Sequence, residues 1–351
     1  MIFSSDNWAG AHPRIVESLV RHAGGFAPAY GASELDRSVG DTFSCIFERE
    51  VAVFFVGTGT AANSLALTAC SRPGGVAFCH SEAHMIVDEC GAPEYFTGGS
   101  RLCPVEGALG RIDPAALAAA ISRYPAEFVH HGQPMAVSIT QATEIGTVYS
   151  LDEIEAIGKV ARSNGLPLHM DGARFANALV ALGTTPAEMT WRRGVDLVSF
   201  GGTKNGCWCA EALVVLDPAK AKDLPFLRKR AAQLFSKSRF ISAQFEAYFK
   251  GDLWLEMARH SNAMAQSLST VFSSSNRARL AWKPDANEVF AVMPMKLMED
   301  LSGRGARFYP WAKPASFDGA IGDDETLCRF VTSFATVEED IDAFRTLMAT
   351  R

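Results

Sequence analysis

The chain contains 351 residues, 48% of them hydrophobic and 21% charged, and it carries a formal net charge of −6. This is the usual balance of a globular protein, and the length is enough for two lobes. The negative net charge and the lack of a long basic run argue against nucleic-acid binding. We expect the longest basic cluster, residues 228–230, to be the solvated face of a helix.

No stretch of the sequence is long and apolar enough to span a bilayer, and the first residues lack the pattern of a signal peptide. We therefore expect a cytoplasmic protein with no membrane partner, whose eight cysteines are reduced thiols. Cys207 and Cys209 lie two residues apart, but no second pair with zinc-like spacing accompanies them. We expect no metal site.

Short apolar runs alternate with helical patterns through the first two-thirds of the chain. Helices are predicted at residues 61–70, 84–90 and 150–164, the last opened by a capping box of Ser150 and Glu153. Such alternation predicts a mainly parallel sheet with helices on both faces. Strands are predicted at residues 51–56, 75–79, 136–140, 166–170, 195–200 and 211–216.

The last third of the sequence has a different pattern. A mostly helical stretch begins near residue 224, and strands follow at residues 289–294 and 327–331. A final helix is predicted from residue 337, opened by Thr336. We expect a large domain over residues 1–255, with the N-terminal segment, and a smaller α+β domain over residues 256–351.

A turn with two glycines separates the first predicted strand from its helix at residues 56–63. Free N–H groups and the dipole at a helix N-terminus favour an anion. Gly59 lies at this turn, and Thr58 and Thr60 add hydroxyl donors. The spacing matches neither the dinucleotide fingerprint nor the Walker P-loop, so a plain tight turn remains the alternative to a phosphate site.

Two later strands end in residues that carry chemistry. Asp171 follows one strand, and Lys204 follows the next, after two glycines that let the backbone turn tightly. Ligands bind at such strand ends in parallel sheets. A lysine that can form a Schiff base and an aspartate for a pyridinium nitrogen are what pyridoxal phosphate requires of its protein. The sequence therefore predicts a pyridoxal phosphate site.

Three further residues fit this hypothesis, although each has an ordinary structural explanation. His84 lies at a strand-to-helix junction, where an imidazole could stack on a ring or move a proton, or simply belong to the core. Arg174 and Arg329 could each bind a substrate carboxylate or form an ion pair. Arg329 lies in an apolar run, where an unpaired charge would be costly.

Together these segments resemble the threonine aldolases, pyridoxal-phosphate enzymes of the aspartate-aminotransferase fold type, over nearly the whole chain. The most specific match is His-Met-Asp-Gly-Ala-Arg at residues 169–174. The Schiff-base lysine of the family falls at Lys204 and its stacking histidine at His84. Other matches are Ser5-Asp6-Asn7, Tyr30-Gly31, residues 55–63 and residues 327–332.

The resemblance implies an α/β chain of fold type I that cleaves the Cα–Cβ bond of β-hydroxy-α-amino acids to glycine and an aldehyde. It implies Lys204 and His84 as catalytic residues. Substrate binding is implied for Ser5, Tyr30, Arg174 and Arg329. The cofactor is implied to contact Thr58, Gly59, Thr60, His84, Gln141, Asp171, Arg174, Thr203 and Lys204.

The resemblance also implies a homodimer or homotetramer with sites at subunit interfaces, to which Tyr30 and residues 228–239 could contribute. The chain departs from the family near Gln141 and Glu144, where many members have Glu-Asn and a histidine. Two alternatives remain: another fold type I lyase that performs β-elimination, and a nucleotide-binding oxidoreductase. The oxidoreductase would need a third spaced glycine and has no use for Lys204.

Overall fold

The computed structural model describes residues 1–350. Over this range the strands are β1 (Ala52–Val56), β2 (Gly75–His80), β3 (Arg101–Val105), β4 (Gln133–Thr140), β5 (Leu168–Gly172), β6 (Leu197–Gly201), β7 (Glu211–Val215), β8 (Arg279–Leu280), β9 (Glu288–Pro294), β10 (Tyr309–Trp311) and β11 (Glu325–Val331). The helices are α1 (Pro13–Arg21), α2 (Glu34–Ile46), α3 (Gly59–Ala69), α4 (His84–Val87), α5 (Ala92–Phe96), α6 (Pro114–Ser122), α7 (Leu151–Ser163), α8 (Phe175–Leu182), α9 (Pro186–Met189), α10 (Leu224–Arg230), α11 (Arg239–Phe249), α12 (Leu253–Ser273), α13 (Met295–Gly303) and α14 (Glu338–Ala349).

Seven strands form the main sheet in the order β1-β7-β6-β5-β4-β2-β3. The pairs from β3 to β6 are parallel, whereas β7 is antiparallel to both of its neighbours. The chain passes from β6 to β7 through a short loop without a crossover helix, which only an antiparallel pair allows. The predicted mainly parallel sheet is confirmed.

The direction of the strands decides where the site residues meet. Because β7 is antiparallel to both β6 and β1, strand β1 runs in the same direction as β2, β4, β5 and β6. The carboxyl ends of these five strands therefore lie along one edge of the sheet. The turn at residues 56–63, His84, Gln141 and Lys204 each come at or after the end of one of them, and Asp171 is the next-to-last residue of β5.

A second, antiparallel sheet has the order β10-β11-β9-β8. The N-terminal segment packs against it, because Phe3 contacts Phe330 and Phe344 with ring centroids 6.3 and 5.6 Å apart. This contact holds the residues after Phe3 between the two sheets. The predicted division at residues 255 and 256 falls inside α12 and remains a prediction.

Two local predictions are corrected by the structure. The helix predicted over residues 84–90 is interrupted, since Cys90 and Gly91 have φ of 52° and 73° and separate α4 from α5. Thr336 does not cap α14; its hydroxyl accepts a hydrogen bond from the Ser333 N–H at 2.9 Å. The capping box of Ser150 and Glu153 is confirmed. Within residues 1–350, no helix combines the length and apolar character needed to cross a membrane.

Candidate active site

A cavity of about 270 Å³ opens at the edge where the five strands end. Seven of the predicted site residues line it: Thr58, Gly59, Thr60, His84, Asp171, Thr203 and Lys204. The sequence reasoning missed five other polar residues or glycines in its wall, namely Asn7, Gly57, Asn63, Glu89 and Glu211. The strand ends therefore meet at one concave site, as the topology requires.

The N-terminus of α3 forms one end of the cavity. Thr58 is its N-cap and accepts a hydrogen bond from the Ala61 N–H at 3.1 Å. The first N–H groups of a helix have no intrahelical partner, which leaves those of Gly59 and Thr60 directed out of the helix end. A Cβ at Gly59 would meet no atom within 4 Å, so the space beside it is open. This end fits a phosphate group.

Lys204 lies in the 3-10 turn Thr203–Asn205 that follows β6. The turn is held rigidly, because Asn205 Nδ2 donates to the Tyr248 hydroxyl at 2.8 Å and to the Trp254 carbonyl at 2.9 Å. Gly206 has φ of 96°, and a Cβ there would lie 2.6 Å from Met257 Sδ. Within residues 1–350, the Lys204 amine has no hydrogen-bond or ion-pair partner, so it is available for bonding to an aldehyde.

Asp171 lies at the end of β5 and is 2% exposed. Its Oδ1 accepts from the Ala173 N–H at 3.1 Å and its Oδ2 from Asn63 Nδ2 at 2.9 Å. Burial, reinforced by the negative charges of Glu89 and Glu144, raises the pKa of Asp171 to about 6. A fixed carboxylate with this pKa is suited to pair with a protonated pyridine nitrogen.

A buried network connects His84 to Asp171. His84 Nδ1 lies 2.9 Å from Glu89 Oε1, and Asn63 Nδ2 donates to that same Glu89 oxygen at 2.8 Å. Since Asn63 also donates to Asp171, its amide bridges two buried carboxylates. The hydrogen bond to Glu89 raises the pKa of His84 above its ordinary value, against the opposing effect of burial. Glu89 lies five residues after His84, beyond the end of α4 at Val87.

We expect Glu89→Gln to lower the pKa of His84, because the amide keeps the shape of the side chain and removes the charge. The measurement is a pH titration of the His84 ring by NMR in the protein without cofactor. Glu82→Gln, in the loop between β2 and α4 and outside the His84 hydrogen bond, serves as the control and should leave the His84 pKa unchanged. An unaltered His84 pKa in Glu89→Gln would contradict the network.

Arg174 is 4% exposed and is held by acidic side chains of the protein itself. Its Nε and Nη2 donate to the two oxygens of Asp6 at 2.7 and 3.1 Å. Its Nη1 lies 3.3 Å from Glu288 Oε2 but makes no hydrogen bond within residues 1–350. Although burial opposes the charge, Asp6, Glu288 and Glu144 hold the pKa of Arg174 above its ordinary value. Only Nη1 is left for a ligand.

Arg329 lies on β11 with its guanidinium 4.1 Å from the centroid of the Trp311 ring. Its Nη1 is 3.7 Å from Glu288 Oε1. Burial would raise the pKa of Glu144, but Lys204, Arg174, His84 and Arg329 together hold it below the ordinary value. Glu144 therefore lies in the combined field of the cavity lysine and both arginines, which links the arginine pair to the cavity.

Five predicted site residues do not line the cavity: the two arginines, Arg174 and Arg329, and also Gln141, Ser5 and Tyr30. Gln141 Nε2 donates to the Tyr149 carbonyl at 3.0 Å, and Gln141 Oε1 accepts from the Tyr149 N–H at 2.9 Å. The Gln141 amide therefore holds the loop and not the cofactor. The Ser5 hydroxyl accepts from the Asn7 N–H at 3.1 Å, which places Asn7 in the wall. Tyr30 is 54% exposed, with Lys229 Nζ 5.6 Å from its ring.

The donor set of the cavity fits pyridoxal phosphate. Its phosphate would be held by the α3 N-terminus with Thr58 and Thr60, its aldehyde by Lys204 and its ring nitrogen by Asp171. His84 would lie against the ring. These four features come from four separate strand ends, and each supplies the type of group that the corresponding part of the cofactor requires.

Comparison with known proteins agrees with this assignment. A family model described as beta-eliminating lyase matches residues 3–295. A low specificity L-threonine aldolase from Pseudomonas sp. (strain NCIMB 10558) is 39% identical over 348 residues, which cover 99% of this chain and 98% of that relative. The protein of the same name from Pseudomonas aeruginosa is 38% identical over 338 residues, covering 96% and 95%.

Solved structures give the same result. Leishmania major threonine aldolase superposes with a TM-score of 0.91 at 28% identity, covering 99% of this chain and 98% of that one. Mouse CSAD, at 15% identity, shares the fold alone, with a TM-score of 0.76. The fold type, the lyase class and the pyridoxal phosphate cofactor are confirmed, and the chain belongs to the beta-eliminating lyase family, in the group of the low specificity L-threonine aldolases.

Proposed function

We propose that this chain is a pyridoxal-phosphate-dependent aldolase that cleaves threonine, allo-threonine and related β-hydroxy-α-amino acids to glycine and an aldehyde. The observation that carries the proposal is an unpaired Lys204 amine in the same cavity as the buried carboxylate of Asp171, with an anion-binding helix end beside them. The names of the Pseudomonas and Leishmania relatives support the choice of substrate.

The bound cofactor supplies an electron sink for the pair of electrons left when a bond at Cα breaks. The protein residues bind the cofactor and the substrate and move the protons. The α3 N-terminus would hold the phosphate, and the Lys204 amine would hold the aldehyde and give way to the substrate amine. Asp171 keeps a proton on the ring nitrogen. His84, whose Nδ1 is held by Glu89, presents its other nitrogen as the group that removes the β-hydroxyl proton.

The substrate carboxylate is assigned to the arginine pair. Arg329 keeps its Nε without a hydrogen bond within residues 1–350, and Trp311 fixes the plane of its guanidinium. Arg174 contributes Nη1. Fixing the carboxylate would set the rotation about Cα and so select which of the bonds at Cα is broken.

A product assay tests the reaction. Purified protein with pyridoxal phosphate is given L-threonine, L-allo-threonine and L-phenylserine, and the products are identified. Equal amounts of glycine and aldehyde support the proposal. A keto acid with ammonia instead would identify a β-eliminating lyase, and no turnover of any of the three would refute the substrate class. Comparing the three rates also gives the preferred aldehyde and the threo or allo preference.

We expect Arg329→Ala to raise the KM for threonine about 10- to 100-fold, the range for losing hydrogen bonds to a charged group. Cofactor affinity should change much less, because Arg329 is not at the cofactor end of the cavity. Steady-state kinetics gives the KM for threonine, and equilibrium titration with pyridoxal phosphate gives the cofactor affinity. Arg279→Ala, which removes an arginine paired with Glu325 on the same sheet, is the control. Equal losses of both affinities would contradict the role of Arg329.

We also propose a homodimer or homotetramer, with Tyr30 and residues 228–239 reaching toward the site of a neighbouring subunit. Tyr30, Phe226 and Phe235 are exposed aromatic residues, and the Phe235 ring lies beside Gly57 in the turn before α3, which supports an interface there. A solution mass of 37.8 kDa would exclude it. A cytoplasmic location is proposed because its reducing conditions suit eight free thiols.

A further inference from the structure

Glu288 is an unusual residue for the wall of a carboxylate-binding site. It is 0% exposed at the start of β9, and neither of its oxygens makes a hydrogen bond within residues 1–350. Its Oε2 lies 3.3 Å from Arg174 Nη1 and its Oε1 lies 3.7 Å from Arg329 Nη1. One internal carboxylate thus occupies the position between the two guanidinium groups that are assigned to the substrate.

Glu288 and the charged groups around it already carry more negative than positive charge. The charged groups that act on Glu288 are Arg174 and Arg329, with two positive charges, and Glu144 and Asp6, with two negative charges. When Glu288 is also ionised, this set has a net charge of −1, leaving aside Lys204 and His84 on the cavity side of Glu144. A bound substrate carboxylate would make the net charge −2 in a buried environment, where uncompensated charge is costly. Protonation of one of these acids would offset the charge that the substrate adds.

Among these three acids, Glu288 is the one whose surroundings favour that change. Asp6 is fixed by two short hydrogen bonds from Arg174, which help to hold its pKa down against burial. Glu144 is held ionised by four cationic groups. Burial raises the pKa of Glu288 to about 7, since Arg174 and Arg329 only partly offset it and Glu144 and Asp6 add to it.

We propose that Glu288 takes one proton from solvent onto a carboxylate oxygen when a substrate carboxylate binds to Arg329 and Arg174. The inference rests on the proposed function and adds a role for a residue outside the cavity wall. Glu288 holds the two guanidinium groups in place as an anion in the empty site. Once protonated, Glu288 no longer neutralises the two guanidinium groups, and their positive charge is available to the substrate carboxylate. The O–H bond is the only covalent bond that forms.

A pH dependence of defined sign follows. Below pH 7 Glu288 already carries its proton in the free protein, and carboxylate affinity should be independent of pH. Above pH 7 the proton has to be taken up on binding, and affinity should fall by up to about tenfold per pH unit. Glu288→Gln is neutral at every pH, so its affinity should stay near the low-pH value of the wild type.

The test uses the holoenzyme and 3-hydroxybutyrate, which has the carboxylate and β-hydroxyl of a substrate but no amine to react with the cofactor. Titration calorimetry at pH 8 in two buffers with different ionisation enthalpies counts the protons taken up. We expect about one proton per molecule bound for the wild type and about zero for Glu288→Gln. Glu325→Gln, another glutamate of the small sheet that pairs with an arginine, should keep the wild-type value.

Equal proton uptake in the wild type and Glu288→Gln would overturn the inference and leave a purely structural ion triad. If Glu288→Gln does not fold, the wild type decides alone, because affinity for 3-hydroxybutyrate that stays constant from pH 7 to pH 9 is incompatible with the proposal. Failure of 3-hydroxybutyrate to bind refutes the arginine site as well. Threonine cleavage without proton uptake refutes this inference alone and leaves the proposed function standing.

Discussion

Replacing Lys204 with alanine should abolish aldol cleavage, with kcat falling on the order of 10⁴-fold or more, as when the nucleophile of a catalytic unit is removed. The reason is local. No other lysine lines the cavity within residues 1–350, and the Lys204 turn is held by Asn205 and Gly206, so another amine cannot take its position. The visible absorbance of the covalently held cofactor should disappear together with the activity.

Peptide mapping makes this prediction specific. Borohydride reduction of the wild-type holoenzyme followed by digestion should place the cofactor label on the peptide that contains Lys204. Lys220→Ala is the matched control, because Lys220 forms a 2.8 Å ion pair with Asp196 away from the cavity. A label on a different lysine, or a colourless wild type in the presence of pyridoxal phosphate, would refute both the site and the chemistry derived from it.

Asp171→Asn should have the second largest effect, lowering kcat about 10²- to 10³-fold, the range for losing a preorganised group that stabilises developing charge. The amide keeps the size of the side chain and can still accept one hydrogen bond. It cannot keep a proton on the ring nitrogen, so the electron sink is weakened while the phosphate and Lys204 still hold the cofactor. Steady-state kinetics and the cofactor dissociation constant separate the two effects.

The same substitution should change how stability depends on pH. The pKa of Asp171 is about 6 in the folded protein against an ordinary 3.8, so its contribution to stability is complete below pH 3.8 and is lost as pH rises through 6. In the cofactor-free protein, Asp171→Asn should remove the part of the fall in the free energy of unfolding that occurs as the pH rises through 6. Asp300→Asn, an exposed acid on α13, is the control. Full activity in Asp171→Asn would contradict the assignment.

The chemical residues were predictable because each lies directly after a recognisable strand. Asp171 and Lys204 each follow an apolar run, and the carboxyl ends of parallel strands share one edge of a sheet. The same reasoning predicted Thr58 and His84 at this edge of the sheet. Glu89 was missed, since α4 ends at Val87 and the non-helical turn that follows returns the Glu89 carboxylate to His84, a contact that no local pattern reveals.

The sequence by itself determined the fold type and the cofactor and led to the residues proposed to contact its reactive parts, because these depend on short runs in which a strand, a turn and a functional side chain are contiguous. Only the tertiary structure decided the charge state around the arginines. Asp6 and Arg174 are 168 positions apart. Glu288 and Arg329 lie on neighbouring strands of the small sheet, and Glu288 meets Arg174, which follows β5 of the main sheet. Burial and charge balance depend on the distances between side chains in space, and these distances cannot be read from the positions of the residues along the chain.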